Sequence, residues 1–190
     1  MSTNIKAFIT DFDGTLAFTY AANLGAYQRA IDVVTDGKYH LTNDDYKKCF
    51  GYRFDQFMDA INITDKDIRA RIKEKKAEYY SIYASSVTIN RDLLSTLKFA
   101  KFNYIKIALA TTARRVNVMS VLNANDIDED FFDLILAGED VTKGKPDPEV
   151  YIKAMNILNV SPNETIIFED SDIGIAAAVN AGCNYIKVVG

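Results

Sequence analysis

Two aspartates, two positions apart, are the first residues of this sequence whose type and spacing could do chemistry. Asp11 and Asp13 follow a short apolar run and precede Gly14. A carboxylate is ionised at neutral pH and can attack phosphorus without a base. A neighbouring carboxyl group can be kept protonated by like charge and burial, and can then act as a general acid. One aspartate would be the nucleophile and the other the acid or base, and the spacing leaves open which takes which role.

Further acidic, hydroxyl and basic side chains follow three later apolar runs. Thr111 and Thr112 come after one run, Lys145 lies in the loop after the next, and Glu169 and Asp170 come after another. Carboxylates crowded into one crevice are costly unless a cation neutralises them, and Mg²⁺ prefers oxygen ligands. A phosphate brought there needs positive charge and N–H or O–H donors. These residues predict a Mg²⁺ site beside a phosphate site.

The candidate residues for each role follow from this chemistry. The predicted metal ligands are Asp11, Asp13, Glu169 and Asp170. The predicted phosphate ligands in this part of the chain are Gly14, Thr111, Thr112 and Lys145. Lys143 competes with Lys145 for the phosphate role, and Thr112 could instead be only a helix cap. Arg114 and Arg115 at a predicted helix start indicate either anion binding or, as the preferred reading, a solvated face.

Composition excludes several other classes of function. The chain has 190 residues, 26 acidic against 22 basic side chains and a net charge of −4, which disfavours nucleic acid as a partner. Its single histidine, His40, excludes a multi-histidine metal site and disfavours a histidine-dependent triad. Cys49 and Cys183 are too isolated to indicate zinc and are expected to be reduced thiols. Neither a signal peptide nor a membrane span is evident, so we expect a cytoplasmic monomer with no membrane partner.

Five short apolar runs predict strands that are buried on both faces of a parallel sheet. They cover residues 5–10, 104–110, 132–137, 165–168 and 185–189. Helical patterns over 114–123, 148–158 and 171–180 separate the last four runs, which is typical of βαβ units. Ligands of such sheets bind beyond the carboxyl ends of the strands, where the candidate residues fall.

The segment between the first two predicted strands has a different character. Apolar residues from Tyr20 to Val34 recur at helical spacing, and Thr64 with Asp67 resembles a capping box that opens a second helix. We therefore predict an α/β fold with a Rossmann-like parallel sheet, formed by residues 1–15 and 86–190. Residues 16–85 form an α-helical insertion in this division.

Four motifs, in this order, resemble those of the haloacid dehalogenase superfamily of aspartate-nucleophile phosphohydrolases. They cover residues 11–16, 107–111, 144–151 and 167–174. The resemblance implies that Asp11 forms an aspartyl-phosphate, and that Asp13 protonates the leaving group and then activates water while its carbonyl binds Mg²⁺. It assigns the phosphoryl oxygens to Thr111 and Lys145. It also makes Asp170 a metal ligand, with Glu169 as a ligand or as a partner of one.

Within this superfamily the chain is most similar to the β-phosphoglucomutase-like and phosphoglycolate-phosphatase-like group. The helical insertion matches the cap that selects substrate there, and Lys76 corresponds to a cap lysine and hence to a substrate ligand. The charged run from Lys73 to Lys76 by itself favours a solvated helix face instead. Asn23 stands where the mutases carry a cap histidine. The resemblance therefore implies a phosphatase that acts on a small phosphorylated metabolite. A phosphosugar mutase and a non-catalytic protein that binds a phosphorylated ligand are the alternatives.

Overall fold

The computed structural model describes residues 4–189, and the chain divides into two compact units. One unit contains the chain up to Phe18 and again from Thr88 onwards, and the other is Thr19–Val87. These boundaries fall three and two residues after those expected from the sequence. Each unit has its own buried cluster of side chains.

The first unit contains a five-stranded parallel sheet, so the predicted α/β fold is confirmed. The strands of the protein are β1 Ala7–Thr10, β2 Ala17–Phe18, β3 Thr88–Ile89, β4 Lys106–Ala110, β5 Leu134–Leu136, β6 Thr165–Glu169 and β7 Asn184–Lys187. The order across the sheet is β5-β4-β1-β6-β7. In register, Thr10 lies opposite Leu109 on one side and Phe168 on the other. The residues that follow β1, β4 and β6 therefore leave the sheet at the same edge.

Eight α-helices accompany the strands in the described part of the chain. They are α1 Tyr20–Val34, α2 Asn43–Cys49, α3 Phe54–Ala60, α4 Lys66–Tyr83, α5 Arg91–Phe102, α6 Arg115–Ala124, α7 Glu149–Leu158 and α8 Asp172–Asn180. Within residues 4–189 none of these helices is long and apolar enough to cross a membrane. The predicted helices after β4, β5 and β6 are present as α6, α7 and α8, with starts one residue later than expected.

Two parts of the first unit differ from the sequence prediction. The two-stranded antiparallel β2–β3 ribbon was not predicted, because each strand has only two residues. Helix α5 was not predicted either, although Leu93, Leu97 and Ala100 recur at helical spacing and are buried. The last predicted strand begins one residue earlier, as β7, and its residues are exposed rather than buried on both faces. β7 is an edge strand, which has a neighbour on one side only.

The second unit, Thr19–Val87, is helical. Helix α1 has the predicted bounds and packs against α4. Aromatic side chains from α1, the α2 region and α3 form a cluster in this unit. These rings belong to Tyr20, Tyr27, Tyr46, Phe50 and Phe57. The predicted cap at Thr64 is wrong by one residue. Asp65 Oδ1 accepts hydrogen bonds from the N–H groups of Asp67 and Ile68, because its carboxylate reaches the free donors of the first turn of α4.

Candidate active site

A buried lysine ammonium lies between two carboxylates at the carboxyl edge of the sheet. Lys145 Nζ is 2.5 Å from Asp11 Oδ1 and also donates a hydrogen bond to Glu169 Oε1. All three residues are at most 7% exposed. Asp11 directly follows β1 and Glu169 ends β6, so two adjacent strands carry the carboxylates. The lysine comes from the loop between β5 and α7.

Asp170 adds a third carboxylate to the same place. One oxygen of each of Asp11, Glu169 and Asp170 lies within 4.8 Å of the others. The Thr15 hydroxyl donates a hydrogen bond to Asp170 Oδ1 at 2.7 Å, which orients this carboxylate. Gly14 lies so close that a Cβ there would be 2.3 Å from Asp170 Oδ2, and its φ of +86° also favours glycine. The loop after β1 thus fits around the carboxylate that follows β6.

Both oxygens of Glu169 are held by protein donors. Oε1 accepts from Lys145 and, at 3.1 Å, from the Tyr151 hydroxyl. Oε2 accepts from the N–H and the hydroxyl of Ser171, each at 3.0 Å. Gly174 in the first turn of α8 leaves room for this carboxylate, since a Cβ there would be 1.8 Å from Oε1. Glu169 is therefore fixed in position from several sides.

Burial and charge shift the pKa values of these groups. Burial raises the pKa of Asp11 and Asp170 above their usual range, and the Glu169 charge raises both further. Burial alone would lower the pKa of Lys145, but the charges of Asp11 and Glu169 outweigh it and keep the lysine an ammonium. Burial opposes ionisation of Glu169, yet its bonds to Lys145 and Ser171 lower its pKa. One ammonium thus faces three carboxylates, so an added cation would lower the repulsion.

The threonine and aspartate candidates occupy loops at the same edge. Thr111 is 1% exposed; its N–H donates to the Leu136 carbonyl, and its Oγ1 accepts from the Ala113 N–H at 3.0 Å. Asp13 is half-buried and forms a bridge with Ala17 in the loop after β1. The backbone of Thr112 lies against Gly138. A Cβ added to Gly138 would be only 2.4 Å from the Thr112 carbonyl oxygen.

Three basic residues that competed for anion binding are paired with acidic side chains. Lys143 Nζ lies 3.3 Å from a carboxylate oxygen of Asp147, four residues on. The guanidinium groups of Arg114 and Arg115 pair with Glu139 and Asp140, at 3.7 Å and 2.7 Å. Of the two lysines in the loop after β5, Lys145 contacts the carboxylates and Lys143 pairs within its own loop.

Lys76 lies in the helical unit and is buried there. Its ammonium donates to Asn23 Oδ1 at 2.7 Å and lies over the rings of Tyr27 and Tyr80. Lys76 is 9% exposed, so the prediction of a solvated helix face is wrong at this residue, because its side chain packs against rings of the same unit. His40 pairs with Asp32 at 3.5 Å, with its side chain 76% exposed.

Three residues at the site had no role assigned from the sequence: Thr15, Tyr151 and Ser171. Thr15 and Ser171 stood inside quoted motifs, where a hydroxyl next to a carboxylate can equally be a turn or cap residue. Tyr151 also stood inside a motif, but at helical spacing it is indistinguishable from a core residue. Their contacts with Asp170 and Glu169 depend on long-range packing.

Comparison with known proteins decides the family of the chain. The family of haloacid dehalogenase-like hydrolases matches residues 8–188. The chain belongs to this family. Recognition of the superfamily from the four motifs is therefore confirmed, and so is the prediction that this haloacid dehalogenase-like hydrolase is an enzyme.

Individual relatives cover nearly the whole chain. A phosphorylated carbohydrates phosphatase of Thermotoga maritima is 32% identical over 188 residues, which are 96% of this chain and 84% of the relative. The crystal structure of CbbY from Rhodobacter sphaeroides with phosphate has a TM-score of 0.88 and 26% identity, covering 98% of this chain and 87% of that one. A β-phosphoglucomutase structure from Clostridium difficile has a TM-score of 0.85 and 27% identity, covering 98% and 85%.

Proposed function

We propose that this hydrolase is a Mg²⁺-dependent phosphatase that cleaves small phosphorylated metabolites through an aspartyl-phosphate on Asp11. One observation carries the proposal. Asp11, Glu169 and Asp170 converge around the Lys145 ammonium at the carboxyl edge of the parallel sheet. A carboxylate nucleophile, oxygen ligands for a cation and a fixed positive charge for a phosphoryl group are thereby placed together.

The chemistry divides into two displacements at phosphorus. A carboxylate oxygen of Asp11 attacks the phosphorus atom, and the bond from phosphorus to the substrate oxygen breaks while Asp13 gives that oxygen a proton. Asp13 then takes a proton from water, whose oxygen attacks phosphorus and breaks its bond to Asp11. Inorganic phosphate leaves, and both aspartates return to their starting states. Lys145 and Thr111 hold the phosphoryl oxygens through both steps.

The oxygen ligands at this edge fit a magnesium ion. Asp11, Glu169 and Asp170 offer carboxylate oxygens, and Mg²⁺ is commonly held by one or two carboxylates together with water and phosphate oxygens. When bound, the ion would neutralise charge that develops on the phosphoryl group. The backbone carbonyl of Asp13 is the further ligand in this proposal. Burial, and after it the charge of Glu169, raises the pKa of Asp11 and of Asp170, and a bound cation would favour the ionised form of both.

The proposed role of the helical unit is substrate selection. Lys76 supports this proposal because its ammonium is held in place inside the helical unit, by Asn23 and against two aromatic rings, at the position where the resemblance implies a cap lysine. The names of relatives that act on phosphorylated carbohydrates favour a sugar phosphate as the substrate class.

A substrate screen with a nucleophile variant tests the proposal. Phosphate release from sugar phosphates, phosphoglycolate and nucleotides is measured with Mg²⁺ and with a chelator. We expect Asp11→Asn to lower kcat at least about a thousandfold. Asp172→Asn is the matched control, since this carboxylate is 93% exposed and pairs with Lys187. Turnover that survives Asp11→Asn or chelation would contradict the proposed mechanism, whereas no turnover across the panel would favour a protein that only binds phosphorylated ligands.

The covalent intermediate has its own test. A substrate with a good leaving group, such as p-nitrophenyl phosphate, needs no proton from Asp13 in the first step. We expect Asp13→Asn to accept the phosphoryl group from it and to release phosphate slowly. Intact-protein mass spectrometry should then detect one added phosphoryl group, which Asp11→Asn prevents.

A phosphosugar mutase is the second candidate, favoured by the similarity to β-phosphoglucomutase structures. Against it, position 23 carries an asparagine that accepts a hydrogen bond from Lys76. Incubation with a sugar monophosphate and its bisphosphate distinguishes the two. A phosphatase releases inorganic phosphate, whereas a mutase accumulates the isomeric monophosphate.

A further inference from the structure

Tyr151 in helix α7 contacts both Glu169 and Lys145, which form a buried ion pair at the site. Its hydroxyl donates to Glu169 Oε1 at 3.1 Å, and Lys145 Nζ lies 4.9 Å from the centroid of its ring. The side chain is 0% exposed. One side chain thus supplies a hydrogen bond and a π face at the same point.

Lys145 needs such support because its side chain is long and flexible. The ammonium has to stay beside Asp11, where the phosphoryl group would arrive, although Glu169 competes for it. The position of Glu169 therefore influences where the ammonium lies. Ser171 holds one oxygen of Glu169, and Tyr151 is the donor that shares the other oxygen with Lys145.

We propose that Tyr151 is a positioning residue that keeps the Lys145 ammonium beside Asp11. Its hydroxyl fixes Glu169, and its ring faces the ammonium from the side of the core. The inference rests on the proposed phosphatase function, in which Lys145 holds the phosphoryl group. A packing role alone is the competing explanation, because Tyr151 also belongs to the core cluster with Ala154 and Met155.

Two substitutions separate the hydroxyl from the ring. Tyr151→Phe removes the donor and leaves the ring, while Tyr151→Leu removes both. Met155→Leu is the control for a change in the same helix, since it nearly conserves volume at a position 3% exposed. Urea unfolding of each variant establishes that it is folded before other measurements are compared.

The first readout is the side-chain ammonium of Lys145 in the protein without metal or substrate. With ¹⁵N-labelled lysine, a buried and ion-paired ammonium exchanges its protons slowly enough to be observed by NMR, and Lys145→Arg assigns the signal. We expect Tyr151→Phe to speed proton exchange and to keep the ring-current shift, and Tyr151→Leu to lose that shift as well. Met155→Leu should leave the signal at its wild-type position. A wild-type signal and exchange rate in Tyr151→Phe would overturn the proposal.

The second readout is kinetic. Loss of an outer hydrogen-bond partner of this kind lowers activity by about tenfold to a hundredfold, so kcat of Tyr151→Phe should fall about tenfold with KM within about twofold. Because the effect passes through Glu169, Tyr151→Phe should lower kcat much less in a Glu169→Gln background. The proposal would also be overturned if Tyr151→Phe lowered kcat by the same factor in the wild-type and Glu169→Gln backgrounds, or if folded Tyr151→Phe had the wild-type kcat. If the wild type turns over no substrate, the proposed function fails, while the ammonium measurement still decides whether Tyr151 positions Lys145.

Discussion

The glycine at position 174 makes a sharp test of how tightly Glu169 is held. Gly174→Ala would place a Cβ 1.8 Å from Glu169 Oε1, whereas a carbon and an oxygen in contact are about 3.3–3.6 Å apart. The carboxylate would have to move by about 1.5 Å. It ends a flexible side chain, but Lys145, Tyr151 and Ser171 all donate hydrogen bonds to it. A shift of that size breaks several of these bonds at once.

The expected magnitude follows from the competing effects. Alanine in place of glycine in a helix is worth up to about 1 kcal/mol. A buried hydrogen bond to a charged group is worth about 1.5–3 kcal/mol, and more than one is lost. We therefore expect Gly174→Ala to lower the free energy of unfolding by about 2–4 kcal/mol.

A second helical glycine gives the matched control. At Gly25 in α1 a Cβ would lie 3.4 Å from Tyr83 Cζ, which is ordinary contact. Gly25→Ala should therefore stabilise the protein by about 0.5–1 kcal/mol. Urea unfolding measures both. In a Glu169→Ala background the carboxylate that would clash with the new Cβ is gone. Gly174→Ala should therefore lower the free energy of unfolding much less in that background than in the wild type. If Gly174→Ala is as stable as the wild type, the reasoning about Glu169 is refuted.

Two further predictions concern a hydroxyl and a surface ion pair. Thr15→Val removes the donor to Asp170, so we expect the Mg²⁺ concentration for half-maximal activity to rise about tenfold; Thr165→Val, another buried threonine, should not raise it. Equal shifts in a Mg²⁺ titration would contradict this. The hydrogen bond from Lys6, together with those from the N–H and hydroxyl of Ser161, lowers the pKa of Glu164 from 4.5 to about 2, so this stabilisation is present above pH 4.5 and lost as the pH falls towards 2. Lys6→Met should flatten the loss of stability in that window, and acid-unfolding curves that coincide would rule this out.

Much of the site could be predicted because strand ends in a parallel sheet meet at one edge. Short apolar runs indicated β1, β4, β5 and β6, and carboxylates directly after two of them indicated a shared crevice. The register of β1 with β6 places Asp11 and Glu169 at that edge. The exposed character of β7 was missed because its apolar residues, Tyr185 and Ile186, suggested a buried strand, whereas the strand order that places it at an edge is not encoded locally.

The resemblance favoured Lys145 over Lys143, and the fold supplies the physical difference between these neighbouring candidates. Lys143 and Lys145 have the same chemistry and lie two positions apart, yet one pairs with Asp147 and the other is buried against Asp11. Lys76 follows exposed residues on α4, and its burial depends on how α1 packs on that helix. The path of the loop and the packing of the helices decide which of these lysines is buried, and residue spacing encodes neither.

By itself, the sequence determined the α/β class, the order of the motifs and the residue types that can do phosphoryl chemistry. These features are local, since strand patterns, helix periodicity and the ionisation of side chains can be read over a few positions. The tertiary structure alone decided that Tyr151 and Thr15 serve Glu169 and Asp170. Each of these hydrogen bonds joins residues from different strands, helices or loops, so it exists only once the sheet has brought them within reach.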